Sequence, residues 1–166
     1  MIAEVPTALR DRQLAVVDAE GNGRRPTPEI IEIAIVPVDG AVVGPDNIRC
    51  RLLQPLNRVN PIVTQKMHGI RESDVADCPL WAQIEPSMGA ALSGRVLVAH
   101  NATVERHLSD WEPPVLLNTL QLAKAVSPGV PCNGLDGLVD HAAPDTTAVG
   151  FGAPEGRAMD PVRADS

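Results

Sequence analysis

Two carboxylates, Asp18 and Glu20, stand two positions apart at the end of the apolar run in LAVVDAEGNG (14–23). Residues two apart in a β-strand point to the same face, so both side chains would project together. Adjacent carboxylates repel each other and favour a cation, and sites built of oxygen ligands favour Mg²⁺ or Mn²⁺. Such pairs also occur as solvated strand ends, so this pattern alone leaves a metal site and a simple strand end both open.

The segments around these carboxylates predict three antiparallel strands at the start of the chain. The strands are expected over 14–18, 29–36 and 47–53, and Asp39-Gly40 signals the hairpin between the last two. Alternation in the second strand predicts one face with Ile31, Ile33 and Ile35, and another with Ile30, Glu32, Ala34 and Val36.

The rest of the chain predicts alternating helices and strands, which indicates a mixed sheet covered by helices. The expected elements are a short helix within 62–70, an amphipathic helix over 81–93, a buried strand over 95–100, a helix after Asn101, a strand and helix over 115–126, and a helix over 134–143. A loop rich in proline and glycine is expected over 144–156.

Bulk composition indicates a globular protein of one domain, residues 1–166, with 1–12 as a loose N-terminal segment. The net charge of −7 opposes long-range attraction to nucleic acid, but it permits binding of a few nucleotides where metal ions supply positive charge. The sequence shows neither a transmembrane run nor a signal peptide, so no membrane partner is expected. Oligomeric state is not predictable from these features.

Three scattered cysteines, Cys50, Cys78 and Cys132, lack the spacing of metal ligands. They are expected to be small buried side chains with reduced thiols, which predicts a cytoplasmic protein.

Further motifs follow Asp18 and Glu20 in a definite order along the chain. Residues 96–108 read VLVAHNATVERHL, with an acidic residue one turn into the expected helix; His68-Gly69-Ile70 stands before Asp74, and NTLQLA begins at Asn118. Together these motifs resemble the DnaQ-like, DEDDh-type 3′–5′ exonucleases of the ribonuclease H-like fold. Asp18 and Glu20 match the D-x-E motif of that family, and residues 100–105 match H-N-A-x-x-D with Glu105 in place of aspartate. The NTLQLA segment resembles D-T-L-x-L-A, with Asn118 in place of aspartate.

The resemblance spans residues 13–166 and implies a ribonuclease H-like α/β domain. Its mixed five-stranded sheet would have three antiparallel strands followed by parallel additions, with helices on both faces. It implies hydrolysis of phosphodiester bonds at the 3′ end of DNA or RNA, with Mg²⁺ or Mn²⁺ in a two-metal site. Asp18 and Glu20 would hold the metal, and Glu105 would support the second ion. His68, Asn101 and Arg24 are candidate contacts to the substrate, although each residue also has a purely structural interpretation.

The third family motif, H-x-A-x-x-D, is altered in this chain. Its counterpart is Gly156-Arg157-Ala158-Met159-Asp160-Pro161, so Gly156 replaces the histidine base and Pro161 replaces the last aspartate. Asp160, the remaining candidate catalytic carboxylate and metal ligand, lies one residue early, which is a rotation of about 100° on a helix. His141 is a second candidate base, although an imidazole at a helix end is the simpler interpretation.

These departures leave three hypotheses from different classes. The first is a working metal-dependent exonuclease, whose rate the loss of a general base would lower by about 10²–10⁴. The second is a catalytically degenerate exonuclease fold that binds a partner or nucleic acid. The third is a hydrolase or binding protein for a small phosphorylated molecule that uses the same metal pocket.

Overall fold

A mixed sheet of five strands lies at the centre of the computed structural model, which describes residues 9, 11–24, 28–39, 48–102, 105 and 115–144. The strands are β1 (Leu14–Gly21), β2 (Ile30–Val38), β3 (Arg49–Leu52), β4 (Val96–Ala99) and β5 (Leu116–Asn118). The helices are α1 (Pro61–Lys66), α2 (Glu72–Val75), α3 (Trp81–Leu92), α4 (Thr119–Val126) and α5 (Leu135–Ala142).

The order of strands across the sheet is β3-β2-β1-β4-β5. β1 pairs antiparallel with β2, and β2 pairs antiparallel with β3, whereas β4 and β5 join as parallel strands. Three antiparallel strands followed by parallel additions are the arrangement that the sequence predicts, so the fold prediction is confirmed. β1 is central because it pairs on both sides.

The main hydrophobic core lies on the face of the sheet that α3 covers. Ala15, Val17 and Ala19 of β1 are buried there, and Met88 and Leu92 of α3 pack against the same cluster. Because side chains alternate along a strand, burial of these three residues leaves Asp18 and Glu20 on the opposite face.

A bulge corrects the predicted faces of β2. The register pairs Glu20 with Glu32 but Gly21 with Ile30, and therefore skips Ile31. An extra residue in a strand reverses the alternation beyond it. Ile30 consequently joins Ile33 in the main core, so the prediction that Ile31 shares a face with Ile33 and Ile35 is wrong.

A second hydrophobic cluster, containing Ile31, covers the carboxylate face at the Gly21 end of β1. Its other buried members are Leu52, Val59, Ile70 and Val75. Leu52 pairs with Glu32, which pairs with Glu20, so all three side chains share one face. The segment from Val59 to Val75 therefore packs beside the carboxylates, and this packing positions the loops next to them.

Most predicted elements are present, with several differences at their boundaries. β1 extends through both carboxylates to Gly21, and the short helix α2 was not expected. Cys132 is exposed and Cys50 and Cys78 are half-buried, so the prediction of three buried cysteines is wrong. The predicted hairpin glycine Gly40, most of the helix after Asn101, and nearly all of the loop over 144–156 lie outside the described residues. Among the described helices, none is long and apolar enough to cross a membrane.

An ion pair joins the ends of three strands. Arg95, just before β4, donates from Nη1 to Asp39 Oδ1 at 2.6 Å and from Nη2 to Asp39 Oδ2 at 3.3 Å. The same Nη1 donates to the carbonyl of Leu14 at the start of β1, at 3.1 Å. The hydrogen bond from Arg95 holds the pKa of Asp39 below its usual value, against a smaller opposing effect of desolvation.

Replacing Arg95 by alanine is expected to lower the melting temperature by a few degrees at pH 7. The pKa of Asp39 is lowered in the folded state, so its stabilising contribution is present above the unfolded pKa and is lost as the pH falls through the folded pKa. The difference between Arg95→Ala and the unsubstituted protein should therefore shrink toward pH 3, as thermal unfolding followed by circular dichroism would show. An equal difference at pH 7 and pH 3 would contradict this role of Asp39.

Candidate active site

Asp18 and Glu20 project from one face of β1, near the end of the strand. Their cross-strand partners on β2 are Ala34 and Glu32, so a third carboxylate faces Glu20. Asp18 is exposed and Glu20 is half-buried. Burial raises the pKa of Glu20, and the neighbouring charges of Asp18 and Glu32 raise it further. The three carboxylates therefore form a site of concentrated negative charge on the sheet.

Glu105 follows β4 and is buried, with 6% of its surface exposed. Burial raises its pKa to about 7; a hydrogen bond with its own backbone opposes this shift, and the charges of Asp18 and Glu20 add to it. Glu105 lines a cavity of about 90 Å³ together with Val17 and Ala19, whose side chains point toward α3. It therefore approaches β1 from the α3 side, whereas Asp18 and Glu20 lie on the other face.

The donor set of the carboxylate face fits a divalent cation in kind. Two aspartate or glutamate side chains on one face supply the oxygen ligands that hard cations prefer, and a cation would relieve the repulsion that raises the pKa of Glu20. Within the described ranges, however, no group of three or more histidine, cysteine, aspartate or glutamate residues is arranged to hold a metal ion. Asp18 and Glu20 therefore offer two of the oxygen ligands that a metal site would need, and Glu105 does not form a three-ligand group with them in this conformation.

A hydrogen-bonded junction links the carboxyl ends of β4 and β5 beside β1. His100 Nδ1 lies 3.1 Å from Thr119 Oγ1, which donates to the carbonyl of Ala99 at 3.3 Å. Asn118 is the N-cap of α4, where its Oδ1 accepts from the backbone N of Gln121 at 3.2 Å. His100 therefore braces the strand–helix junction.

Asn101 and His68 lie in separate segments, Asn101 just after β4 and His68 just after α1. Asn101 is exposed just beyond β4, and its backbone φ of 59° is not the extended conformation that an N-cap residue adopts. His68 is half-buried after α1, and its Nδ1 accepts from the backbone N of Ile70 at 3.2 Å. This bond places the ring proton of a neutral His68 on Nε2.

The loop after β1 is held by a buried polar residue, Asn22, which is fully inaccessible to solvent. Its Oδ1 accepts from the backbone N of Arg24 and from that of Glu29, each at 3.1 Å. Its Nδ2 donates to Glu29 Oε2 at 3.0 Å, and the Glu29 carboxylate also accepts from the backbone N of Leu56 and Asn57. We call this group, made of Asn22, Glu29 and the backbone at 56–57, the Asn22 clamp.

Arg24 lies at the edge of the Asn22 clamp, and its side chain is exposed. Its Nε donates to the carbonyl of Arg58 at 2.8 Å. Close packing holds this part of the loop. Gly23 adopts a φ of +70°, and a Cβ there would lie 2.7 Å from Val63 Cβ. Any larger residue at 23 would therefore be strained and would push the loop away from α1.

The structure places some of the expected site residues together and leaves others apart. Asp18 and Glu20 share one face, Glu105 lies on the other side of β1, and His141 is exposed in the last turn of α5. Asp160, Gly156 and Pro161 lie outside the described residues. Sequence reasoning missed the role of Glu32 opposite Glu20 and the Asn22 clamp; the glutamate in an otherwise apolar β2 face was a signal for the former.

Comparison with known proteins finds sequence relatives among exonucleases, while no protein-family model matches the chain. Exodeoxyribonuclease 10 of Escherichia coli K12 is 33% identical over 118 residues, covering 70% of this chain and 50% of the relative. The protein of the same name from Escherichia coli O6:H1 gives the same values. The chain thus spans about half the length of the curated relatives it matches.

Solved structures show the same fold. A structure of exonuclease X in complex with 5′ overhanging duplex DNA has a TM-score of 0.65 and 28% identity, covering 78% of this chain and 73% of that one. A product-bound structure of exonuclease I has a TM-score of 0.66, covering 83% of this chain and 40% of that one; at 11% identity it supports the fold alone.

Glu105→Gln is expected to stabilise the metal-free protein at pH 8 by about 1–3 kcal/mol. The pKa of Glu105 is about 7 in the folded state against an ordinary value of 4.5, so the wild-type protein loses stability as the pH rises through that interval. The gain should be largely absent at pH 5. Urea unfolding in EDTA at both pH values measures it, and a gain of the same size at pH 5 and pH 8 would refute the assigned cause.

Glu85→Gln is the matched control for this measurement. Glu85 lines the same cavity, but its side chain is exposed. Its substitution is expected to change the free energy of unfolding by less than about 0.5 kcal/mol at either pH.

Asn22→Ala is expected to lower the free energy of unfolding by about 2–3 kcal/mol, because it leaves buried partners of the Asn22 clamp without their hydrogen bonds. Asn57→Ala is the control, since the clamp uses the backbone of Asn57 and its side chain is exposed. Urea unfolding compares the two variants, and hydrogen exchange at the amides of Arg24 and Glu29 should accelerate in Asn22→Ala. Equal free energies of unfolding in the two variants would contradict the stabilising role of the Asn22 clamp.

Proposed function

We propose that the chain is a divalent-metal-dependent 3′–5′ exonuclease. It has the ribonuclease H-like fold of the DnaQ-like exonucleases, and its sequence is 33% identical to exodeoxyribonuclease 10 over 118 residues. The observation that supports this most directly is the placement of Asp18 and Glu20 on one face near the end of β1, beside the carboxyl end of β4. Open α/β sheets bind their ligands at such strand ends.

Asp18 and Glu20 are the proposed metal ligands, with Mg²⁺ or Mn²⁺ as the ion. When bound, the cation would polarise the scissile phosphate and lower the pKa of an attacking water. Asp18 and Glu20 would hold this ion, and its charge would relieve the repulsion from Asp18 and Glu32 that raises the pKa of Glu20. Glu105 is proposed to support a second ion, which requires its side chain to move toward Asp18 and Glu20. Asp160, which lies outside the described residues, is a further candidate ligand.

The proposed substrate is the 3′ end of a DNA or RNA strand. Asn101 is exposed beside the carboxyl end of β4, and Arg24 is exposed beyond the Asn22 clamp, so both can reach a strand lying along this edge. His68 is a third candidate contact: its Nδ1 accepts from Ile70, so its neutral ring would donate from Nε2, which is buried in this conformation. These contacts position the nucleotide and leave the chemistry to the carboxylates.

The second candidate function is a degenerate exonuclease fold that binds nucleic acid or a partner without cleaving. Two observations favour it: Gly156 and Pro161 replace the family base and ligand, and the described residues hold no cluster of three metal-ligating side chains. A protein of this class has no need for metal affinity, which separates the two functions experimentally. Hydrolysis of mononucleotide esters but not of oligonucleotides would instead favour a small phosphorylated substrate.

Isothermal titration with Mn²⁺ and Mg²⁺ tests the proposal, with a 5′-labelled oligonucleotide digest run beside it. We expect the unsubstituted protein to bind metal and to give a ladder of 3′-shortened products. Asp18→Ala should weaken metal binding at least about tenfold and abolish the ladder, because it removes one ligand and half of the paired charge. Asp136→Ala, an exposed carboxylate on α5, is the control and should behave like the unsubstituted protein.

Two results would contradict the exonuclease function. An intact oligonucleotide at high protein concentration, together with metal binding that is absent or unchanged in Asp18→Ala, would mean that the two carboxylates only end a strand. Products shortened from the 5′ end would contradict the proposed polarity.

A further inference from the structure

Three arginines from separate parts of the chain line one open groove. Arg24 comes from the loop after β1, Arg58 from the segment before α1, and Arg71 from the N-terminal boundary of α2. The groove has a volume of about 750 Å³ and also contacts Val59, Pro61, Glu72 and Ser73. All three arginine side chains are exposed. We call this feature the arginine groove.

The arginine groove is positive in a chain whose net charge is −7. Across the described part of the chain, no carboxylate forms an ion pair with Arg24, Arg58 or Arg71. Glu72 is the acidic residue of the lining, and its Oε2 accepts from the backbone N of Val59 at 2.7 Å. Three cations against one anion reverse the overall sign of the protein locally, which favours an anionic ligand at this place.

The backbone that carries two of these arginines is rigidly joined. The backbone N of Arg24 donates to Asn22 in the Asn22 clamp, and the backbone N of Asn60 donates to the carbonyl of Asn22 at 2.8 Å. Arg24 Nε donates to the carbonyl of Arg58, which ties the two groove residues directly. Little ordering is then needed when a ligand binds, because the scaffold of the groove is formed beforehand.

The short chain segment between Glu20 and Arg24 limits the distance from the carboxylates to the arginine groove. Arg24 comes four residues after Glu20, so their Cα atoms lie within about 14 Å of each other. A strand whose 3′ end reaches Asp18 and Glu20 can therefore extend toward the groove within a few nucleotides. Guanidinium groups suit this task because their fork of N–H donors matches phosphate oxygens.

We propose that the arginine groove binds the phosphodiester backbone of the nucleic-acid strand whose 3′ end lies at Asp18 and Glu20, so that Arg58 and Arg71 supply substrate affinity outside the metal site. The inference rests on the proposed function for the identity of the strand. An open groove with three separated guanidinium groups suits successive phosphates of a strand. Phosphate contacts carry no sequence information, so DNA and RNA of equal length bind through the same groove.

Fluorescence anisotropy tests the groove with 5′-fluorescein-labelled dT20 and rU20 in EDTA, between 50 and 200 mM salt. Arg58→Ala/Arg71→Ala is expected to raise the Kd about tenfold at 50 mM salt and to reduce the slope of log K against log salt by about 1.4, since each single-strand phosphate contact contributes about 0.7. The Arg58 carbonyl remains in this variant, so its hydrogen bond from Arg24 is kept. Both oligonucleotides should lose affinity equally.

Arg49→Ala/Lys124→Ala is the charge-matched control, because both are exposed cations outside the arginine groove and should leave the salt slope unchanged. Equal losses of oligonucleotide affinity in the two double variants would mean that only the net charge matters and would overturn the proposal. An unchanged Kd and salt slope in Arg58→Ala/Arg71→Ala would also overturn it. Displacement of dT20 by millimolar inorganic phosphate at constant ionic strength would also overturn it, by indicating a site for a single phosphate.

The assay separates this proposal from the exonuclease function. Binding is measured in EDTA and needs neither metal nor cleavage, so a failed digest leaves the groove measurement unaffected. Conversely, a working digest combined with a salt slope unchanged in Arg58→Ala/Arg71→Ala would overturn the groove and leave the exonuclease standing. Urea unfolding of both double variants confirms that these exposed substitutions keep the fold.

Discussion

The burial of alternate residues of β1 is the constraint on which the rest of the structure depends. Ala15, Val17 and Ala19 are at most 8% exposed and pack under α3, so Asp18 and Glu20 must face the other way. A slip of one residue would bury both carboxylates and expose the apolar side chains. The hydrophobic effect therefore fixes the direction of the charged pair, although neither carboxylate takes part in the core.

Repulsion between the carboxylates opposes this arrangement, and the same negative charge gives the site its attraction for cations. Glu20 faces Glu32, Asp18 lies two residues away, and Glu105 is buried on the other side of the strand. Repulsion and burial raise the pKa values of Glu20 and Glu105, a destabilising condition of the kind that folds tolerate at functional sites. The arginine groove lies just along the chain, so an anionic strand would meet positive charge beside a site that attracts cations.

The departures from the family pattern have unequal structural weight. Asn118 stands where the related segment has aspartate, yet its Oδ1 caps α4, and asparagine and aspartate are about equally effective at an N-cap. Glu105 keeps the charge of the second motif but is directed toward the cavity beneath β1. Gly156 and Pro161 can neither move a proton nor ligate a metal, so they bear most directly on catalysis.

The sequence by itself determined the three antiparallel strands, the alternation of helices and strands that follows them, the position of α3 and the shared face of Asp18 and Glu20. These depend on local periodicity, which short-range sterics and burial enforce. The tertiary structure alone decided the exchange of Ile30 and Ile31, because a bulge depends on the register between strands. It alone also decided the approach of Glu105 from the opposite side, the Asn22 clamp and the arginine groove. Each of these brings together residues from different segments, and such contacts follow from packing that no local pattern contains.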